Sequence, residues 1–300
     1  LLLTALMAVP TMTVAEAATS SSPSKSTPTT VQKRSTGTSS KSTPRKRRAR
    51  RAPPPGGVYA RNAIVMDPVS GEVLYEKNAS RAVPIASLSK LMTALVFLEN
   101  EPDLERRVEV TRAEIYGGGR TQLRNLEKVK LDDLLHMSLM CSDNVATRVL
   151  VRESGLPSDD FLARMNRKAV ELGLARTRFV EFTGLDERNV STAADCARLL
   201  VAASENRTIQ HISTTRTHEF RSNRRPHMVA NTNRLLYGRY EVLGGKTGYI
   251  NQAGYCYATW LRTQGRERVA VVLGAPTAAT RFADVMRLMQ RTTAPSVTAN

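Results

Sequence analysis

Three short strings, far apart in the chain, must come together if any of them is to do chemistry. They are Ser87-Leu88-Ser89-Lys90, Ser142-Asp143-Asn144 and Lys246-Thr247-Gly248. The first stands where a helix begins, because residues 91–98 are apolar at helical length. The second interrupts two helical runs, and the third lies on a strand led in by Gly244-Gly245. Few folds bring a helix start, a polar loop and a strand edge to one point. Taken singly, each string is ordinary. A serine three before a lysine marks many exposed helix starts, Ser-Asp-Asn suits a helix-capping loop, and a lysine protects an edge strand.

The order of elements narrows the fold. Residues 63–67 and 72–76 read as strands joined by the turn Pro68-Val69-Ser70-Gly71. Helical periodicity follows over 131–140, 145–151, 161–172 and 193–203, with Ser191 or Thr192 as the N-cap of the last. Three strand-length runs come next, 240–246, 254–262 and 268–273, then an amphipathic helix over 281–290. Strands, helices, strands and a terminal helix predict an α+β fold, an antiparallel β-sheet flanked by helices.

The first part of the chain has another character. Residues 1–14 are apolar and lead to Ala15-Glu16-Ala17, a small-residue cleavage pattern, so residues 1–17 read as the remnant of a secretory signal peptide. Residues 18–57 are rich in Ser, Thr, Pro, Lys and Arg. Such a linker cannot bury enough apolar surface to offset chain entropy and is expected to be disordered. It contains the run Arg45-Lys46-Arg47-Arg48-Ala49-Arg50-Arg51. The residues before Val58 hold ten Lys and Arg against one acid, Glu16, so they carry +9 of the chain's +17 and leave +8 on the remainder. Behind an export signal, nucleic acid is not the expected partner. Peripheral association of the basic tail with anionic membrane or wall is.

Residues 58–292 are expected to form one domain, with 293–300 a short tail. No further apolar run has the length of a membrane span, so an exported, periplasmic or envelope location is expected, with no transmembrane span in the mature chain. Cys141, Cys196 and Cys256 stand in apolar surroundings, an odd number without a disulfide framework, and read as small buried side chains. His136, His211, His218 and His227 lack metal-ligand spacing, and His136 on an apolar helix face reads as a packing residue.

The three strings fit nucleophilic catalysis. A serine hydroxyl needs a base to remove its proton. Residues three apart share a helix face, which sets Lys90 beside Ser87. Lys90 can serve only when neutral, so its pKa must be lowered by burial or by a nearby cation, for which Lys246 is the candidate. From the loop, Ser142 is placed to pass a proton between Lys90 and a leaving group, and Asn144 to bind a substrate amide. On the strand, Lys246 and Thr247 suit a carboxylate and Gly248 permits close approach. The N–H of Tyr249 is placed to join that of Ser87 as an oxyanion hole.

With these residues the chain resembles the serine D-alanyl-D-alanine peptidases among the low-molecular-mass penicillin-binding proteins. The likeness extends to Val65-Met66-Asp67-Pro68-Val69-Ser70-Gly71-Glu72, to Thr183-Gly184-Leu185-Asp186 with Asn189-Val190-Ser191-Thr192-Ala193, and to Leu273-Gly274-Ala275-Pro276-Thr277 with Arg281-Phe282. It implies a β-lactamase/transpeptidase-like fold, with a helical subdomain beside the sheet. It also implies an acyl-enzyme on Ser87, Lys90 as base, Ser142 in proton transfer, and substrate contacts from Asn144, Lys246, Thr247, Gly248 and Tyr249. Arg281 is a weaker candidate for the terminal carboxylate. Peptidoglycan stem peptides and β-lactams are the implied partners, and no metal or organic cofactor is implied.

The implied activity is D-Ala-D-Ala carboxypeptidase. The alternative is a cross-link endopeptidase, which Phe179-Val180-Glu181 resembles, whereas the Gly244-Gly245 lead and Leu273-Gly274-Ala275-Pro276 resemble the carboxypeptidases. A class A β-lactamase, with a further glutamate that activates the deacylating water, and a non-catalytic wall-binding module are the more remote readings.

Overall fold

Every residue of strand β1 (Asn62–Met66) is buried, which only a strand covered on both faces can be. A computed structural model describes residues 57–293 and shows how this arises. β1 forms a hairpin with β2 (Val73–Lys77). After β3 (Val83–Pro84), a 3-10 turn over Ala86–Leu88 opens directly into α1 (Ser89–Leu98). A small hairpin of β4 (Arg107–Glu109) and β5 (Lys128–Lys130) encloses α2 (Arg112–Ile115). Three helices follow: α3 (Leu131–Met140), α4 (Asn144–Arg152) and α5 (Ser158–Glu171). β6 (Val190–Ser191) pairs with β3, then come α6 (Ala193–Glu205) and α7 (Arg207–Thr214).

The hairpin of β7 (Thr217–Arg221) and β8 (Pro226–Ala230) leads through a second 3-10 turn to the long strands β9 (Glu241–Ile250), β10 (Gly254–Thr263) and β11 (Arg266–Ala275). Helix α8 (Ala278–Thr293) closes the domain.

The main sheet is antiparallel in the order β2-β1-β11-β10-β9. Its faces divide the apolar residues by alternation. Ile64, Val269, Val271 and Leu273 join the larger core with α1, α3 and α6. Ala63, Val65, Ala270 and Val272 join Val285, Leu288 and Met289 of α8 on the other side. The α+β prediction therefore holds, and the helices between α1 and α7 form the expected helical mass on one side of the sheet. β9 stands at the sheet edge, as the Gly244-Gly245 lead suggested.

The predicted helices over 131–140, 145–151 and 193–203 all appear, the last capped by Thr192, whose side chain accepts the N–H of Asp195. α7 and the small hairpins were not foreseen. β7 reads Thr-His-Glu-Phe-Arg, too polar to announce a strand, and it is held because His218 and Phe220 turn inward. The expected signal segment, the linker up to residue 56 and the tail beyond residue 293 lie outside the described residues. Among the described residues no helix is long and apolar enough to cross a membrane.

The start of the domain is tied to its end through Asp284 of α8, which is fully buried. One oxygen of its carboxylate accepts both the Tyr59 N–H at 2.9 Å and the Ala60 N–H at 2.8 Å. Asp284→Ala leaves two backbone donors without a partner and is expected to lower stability by about 2–4 kcal/mol. Asp284→Asn retains an oxygen for both and should cost less. Denaturant titration of the two variants checks this ranking, and equal stability would refute the tether.

Candidate active site

Ser87 lies in the 3-10 turn just before α1, one residue after Ala86, whose φ of +50° is in the left-handed region. Two glycines press on this turn. A Cβ on Gly184 would lie 2.7 Å from Ser87 N, and one on Gly248 would lie 3.0 Å from the same nitrogen. Gly184 itself has φ +84°. The Ala86–Ser87 peptide is thus pinched between the loop before β6 and the edge strand β9, and neither side has room for a methyl group. Ser89, the other serine of the first string, is fully buried and bonds the Ala86 carbonyl at 2.9 Å, away from the pocket.

Lys90 is fully buried beneath Ser87. Its Nζ lies 3.3 Å from Ser87 Oγ, donates to Asn144 Oδ1 at 2.7 Å, and donates to the Thr183 carbonyl. Two of the three partners are carbonyl oxygens, which only accept. A neutral amine can satisfy both with its two N–H groups and turn its lone pair to the Ser87 hydroxyl. Burial is the main reason why the Lys90 ammonium is held down to about 8, against the opposing fields of Glu181 and Asp143.

The second string is a strained loop. Ser142 has φ +65°, a conformation that costs about 1–3 kcal/mol in a non-glycine residue and persists where its surroundings enforce it. Asp143 does the enforcing. Its N–H bonds the Met137 carbonyl, and its side chain caps α4 at Ala146 N and takes the Thr121 hydroxyl at 2.7 Å. Ser142 Oγ accepts from Lys246 Nζ at 2.8 Å. Among the described residues the hydrogen-bond partner of this hydroxyl is thus Lys246, and none of its bonds goes to Lys90. Asn144 also differs from expectation. Its Oδ1 is taken by Lys90 and its Nδ2 donates to Gly118 O at 3.0 Å, so the amide orients the base while it lines the cleft.

Lys246 is almost fully buried. Its pKa is pushed well below the ordinary lysine value by burial first and then by the Lys90 charge beside it. Repulsion between two ammonium groups is mutual, so each lysine disfavours the charged form of the other. On β9, Thr247 Oγ1 pairs with Thr232 Oγ1 at 2.7 Å. Arg281 reaches across from α8, donating to Gly248 O at 3.2 Å, and its Nε is buried without a partner.

These groups converge. A cleft of about 280 Å³ is lined by Ser87, Ser142, Asn144, Thr247, Gly248, Tyr249 and Arg281, with the two lysines below its floor. Leu185, Thr232 and Tyr255 also line it and were not singled out from sequence. Thr183 and Glu181 were missed as well. Their signals were the strings Phe179-Val180-Glu181 and Thr183-Gly184-Leu185-Asp186, quoted above for likeness alone.

Elsewhere, Asp132, His136 and His218 offer ligand atoms within 4.8 Å of one another, a grouping that spacing along the chain cannot reveal. The two imidazoles are stacked at 3.8 Å and 11°, so their in-plane lone pairs run parallel and do not meet on one ion. Cys196 and Cys256 are buried, Cys141 is half-buried, and burial raises all three thiols to between about 11 and about 12.

The fold is that of serine DD-peptidases. A Streptomyces DD-transpeptidase superposes with a TM-score of 0.75 at 26% identity, covering 79% of this chain and 98% of that one. Penicillin-binding protein D2 from Listeria monocytogenes, solved in a cefotaxime-bound form, gives 0.68 at 32% identity over 78% and 97%. The sequence profile described as D-alanyl-D-alanine carboxypeptidase matches residues 47–277. A D-alanyl-D-alanine endopeptidase of Pseudomonas aeruginosa is 36% identical over 79% of this chain and 78% of its own length, and one of Escherichia coli is 34% identical over 76% and 75%. The chain belongs to the D-alanyl-D-alanine carboxypeptidase family of serine peptidases.

Gly184→Ala should push the Ala86–Ser87 peptide off its position and reduce the reactivity of Ser87 toward a serine-acylating probe by about 100-fold. Gly173→Ala is the control, since that glycine also has positive φ but nothing within 4 Å of its would-be Cβ. Stopped-flow labelling compares them, and equal rates would contradict the pinch.

Proposed function

We propose that this chain is a serine peptidase acting on D-alanyl-D-alanine bonds of peptidoglycan peptides through an acyl-enzyme on Ser87. The observation that carries the reading is Lys90 Nζ at 3.3 Å from Ser87 Oγ, with carbonyl acceptors for its other hydrogens. Ser87 Oγ attacks the carbonyl carbon of the penultimate D-alanine while its proton passes to the Lys90 lone pair. The developing oxyanion is received by the N–H of Ser87 and by that of Tyr249 on the β9 edge. The proton held on Lys90 is then delivered to the leaving nitrogen by way of the Ser142 hydroxyl, which gives up one proton and takes the other, so the C–N bond breaks and Lys90 is neutral again. Water next attacks the ester while its proton passes to Lys90, and Lys90 returns that proton to Ser87 Oγ as the shortened peptide leaves.

Substrate is held by Thr247, Gly248 and Tyr249 along β9. The Arg281 guanidinium, which lines the cleft, and Lys246 beside it favour a terminal carboxylate, while Lys90 is kept for the base. β-Lactams acylate the same serine. Glu181 supports a peptidase over a class A β-lactamase. Its carboxylate takes the N–H groups of Thr183 and Gly184 within its own loop, and it does not line the cleft.

Terminal D-alanine removal is the first reading, in line with the family description. Cross-link cleavage is the second, favoured by Phe179-Val180-Glu181 and by the names of the Pseudomonas and Escherichia relatives. We further propose residues 58–292 as the peptidase domain of an exported envelope enzyme. In this reading residues 1–17 are the signal remnant, and the basic linker 18–57 adheres to anionic membrane or wall.

Labelled penicillin should attach to Ser87 in the wild type and not in Ser87→Ala. Equal labelling of both would refute the assignment. Because the base must be neutral and its pKa is lowered to about 8, acylation should rise as pH climbs through that value. A flat profile between pH 6 and 9 would contradict it. Digestion of purified sacculi separates the two readings: free D-alanine marks the carboxypeptidase, and loss of cross-linked dimers marks the endopeptidase.

A further inference from the structure

Glu181 is half-buried in the loop between α5 and β6, and its carboxylate gathers donors from its own loop. Oε2 accepts Thr183 N at 2.6 Å and Thr183 Oγ1 at 2.6 Å. Oε1 accepts Gly184 N at 2.5 Å and Asn189 Nδ2 at 2.8 Å. Charge-assisted bonds of this kind are the strong ones, and four on one side chain fix a loop that has little regular structure of its own. Asn189 locks the other side, accepting Val180 N at 2.7 Å on its own Oδ1. The Asn189 carbonyl takes the N–H of Ile85, two residues before Ser87.

Two parts of this loop touch the reacting groups. The Thr183 carbonyl accepts from Lys90 Nζ, and Gly184 lies against the Ala86–Ser87 peptide. One residue therefore turns the same short segment toward both the base and the nucleophile's backbone. Its negative charge also stands two residues before the carbonyl that holds Lys90. The other charged and titratable groups near Lys90 are Asp143, Cys141, Arg148 and Lys246. Asp143 is engaged by Ala146 N and Thr121 Oγ1.

We propose that Glu181 is a positioning residue, which aims the Thr183 carbonyl at Lys90 and seats Gly184 on the Ser87 turn. The proposal rests on the functional reading above and adds a group that touches neither substrate nor nucleophile. Burial of Lys90 disfavours its cationic form, and the Glu181 field works against that effect. Removing the charge should make the amine lose its proton at lower pH. Loss of a nearby unit charge at an effective dielectric of about 20 corresponds to a shift on the order of one pH unit.

The test is the pH dependence of penicillin acylation in the full chain. Glu181→Gln should move the acidic limb down by about one pH unit and lower the plateau by roughly tenfold. Glu181→Asp keeps the charge but shortens the reach, so its limb should stay with the wild type while its plateau falls. A Glu181→Gln limb coincident with that of the wild type overturns the proposal, even if the plateau drops, because a merely structural loop role predicts that result. If Glu181→Gln fails to fold, the aspartate variant decides, and an unchanged plateau there overturns the proposal. A wild type that does not label at all defeats the functional reading, whereas labelling with unmoved limbs defeats this inference alone.

Discussion

The site depends on a buried amine. Lys90 has lost its water and gained three oxygen partners, from Ser87, Asn144 and Thr183. Stripping an ammonium of water is costly unless its hydrogens are all received, and here the acceptors come from three separate parts of the chain. The 3-10 turn before α1, the loop into α4 and the loop before β6 must each be in register for the amine to be tolerated. In the neutral form two N–H groups serve the Asn144 and Thr183 oxygens, and the lone pair freed by loss of the third proton faces the Ser87 hydroxyl.

The acids near the site are used behind it. Asp143 caps α4, and Glu181 folds its own loop. Neither lines the cleft, whereas the Lys90, Lys246 and Arg281 cations lie under or beside it. Burial with the counter-charges set back depresses both lysine pKa values, which suits Lys90 to accepting a proton, while the Arg281 guanidinium favours a carboxylate in the cleft. The two lysines divide the hydroxyls between them, Lys90 beside Ser87 and Lys246 beside Ser142.

Much of this could be read from the chain. The α+β architecture followed from apolar periodicity, because the main strands and the helices α3, α4 and α6 bury faces large enough to leave a pattern. The convergence of Ser87, Ser142, Asn144 and Thr247 followed from residue type and local context. The hydrogen-bond roles were harder. The pairing of Lys246 with Ser142, and the engagement of both ends of the Asn144 amide, depend on side-chain directions that no spacing encodes. Thr183 acts through a backbone carbonyl, which any residue possesses. Thr232 enters the cleft from the end of a hairpin whose polar strand β7 gave no period. His218 met His136 for the same reason.

The most direct test is to titrate the amine itself. Heteronuclear NMR of side-chain-labelled lysine, with the Lys90 resonance assigned by Lys90→Arg, follows the protonation of that nitrogen without any turnover. The account predicts a transition near pH 8. A Lys90 that titrates at the ordinary lysine value, near pH 10.4, would mean that the amine is solvated and almost never neutral at physiological pH, contradicting its role as the base.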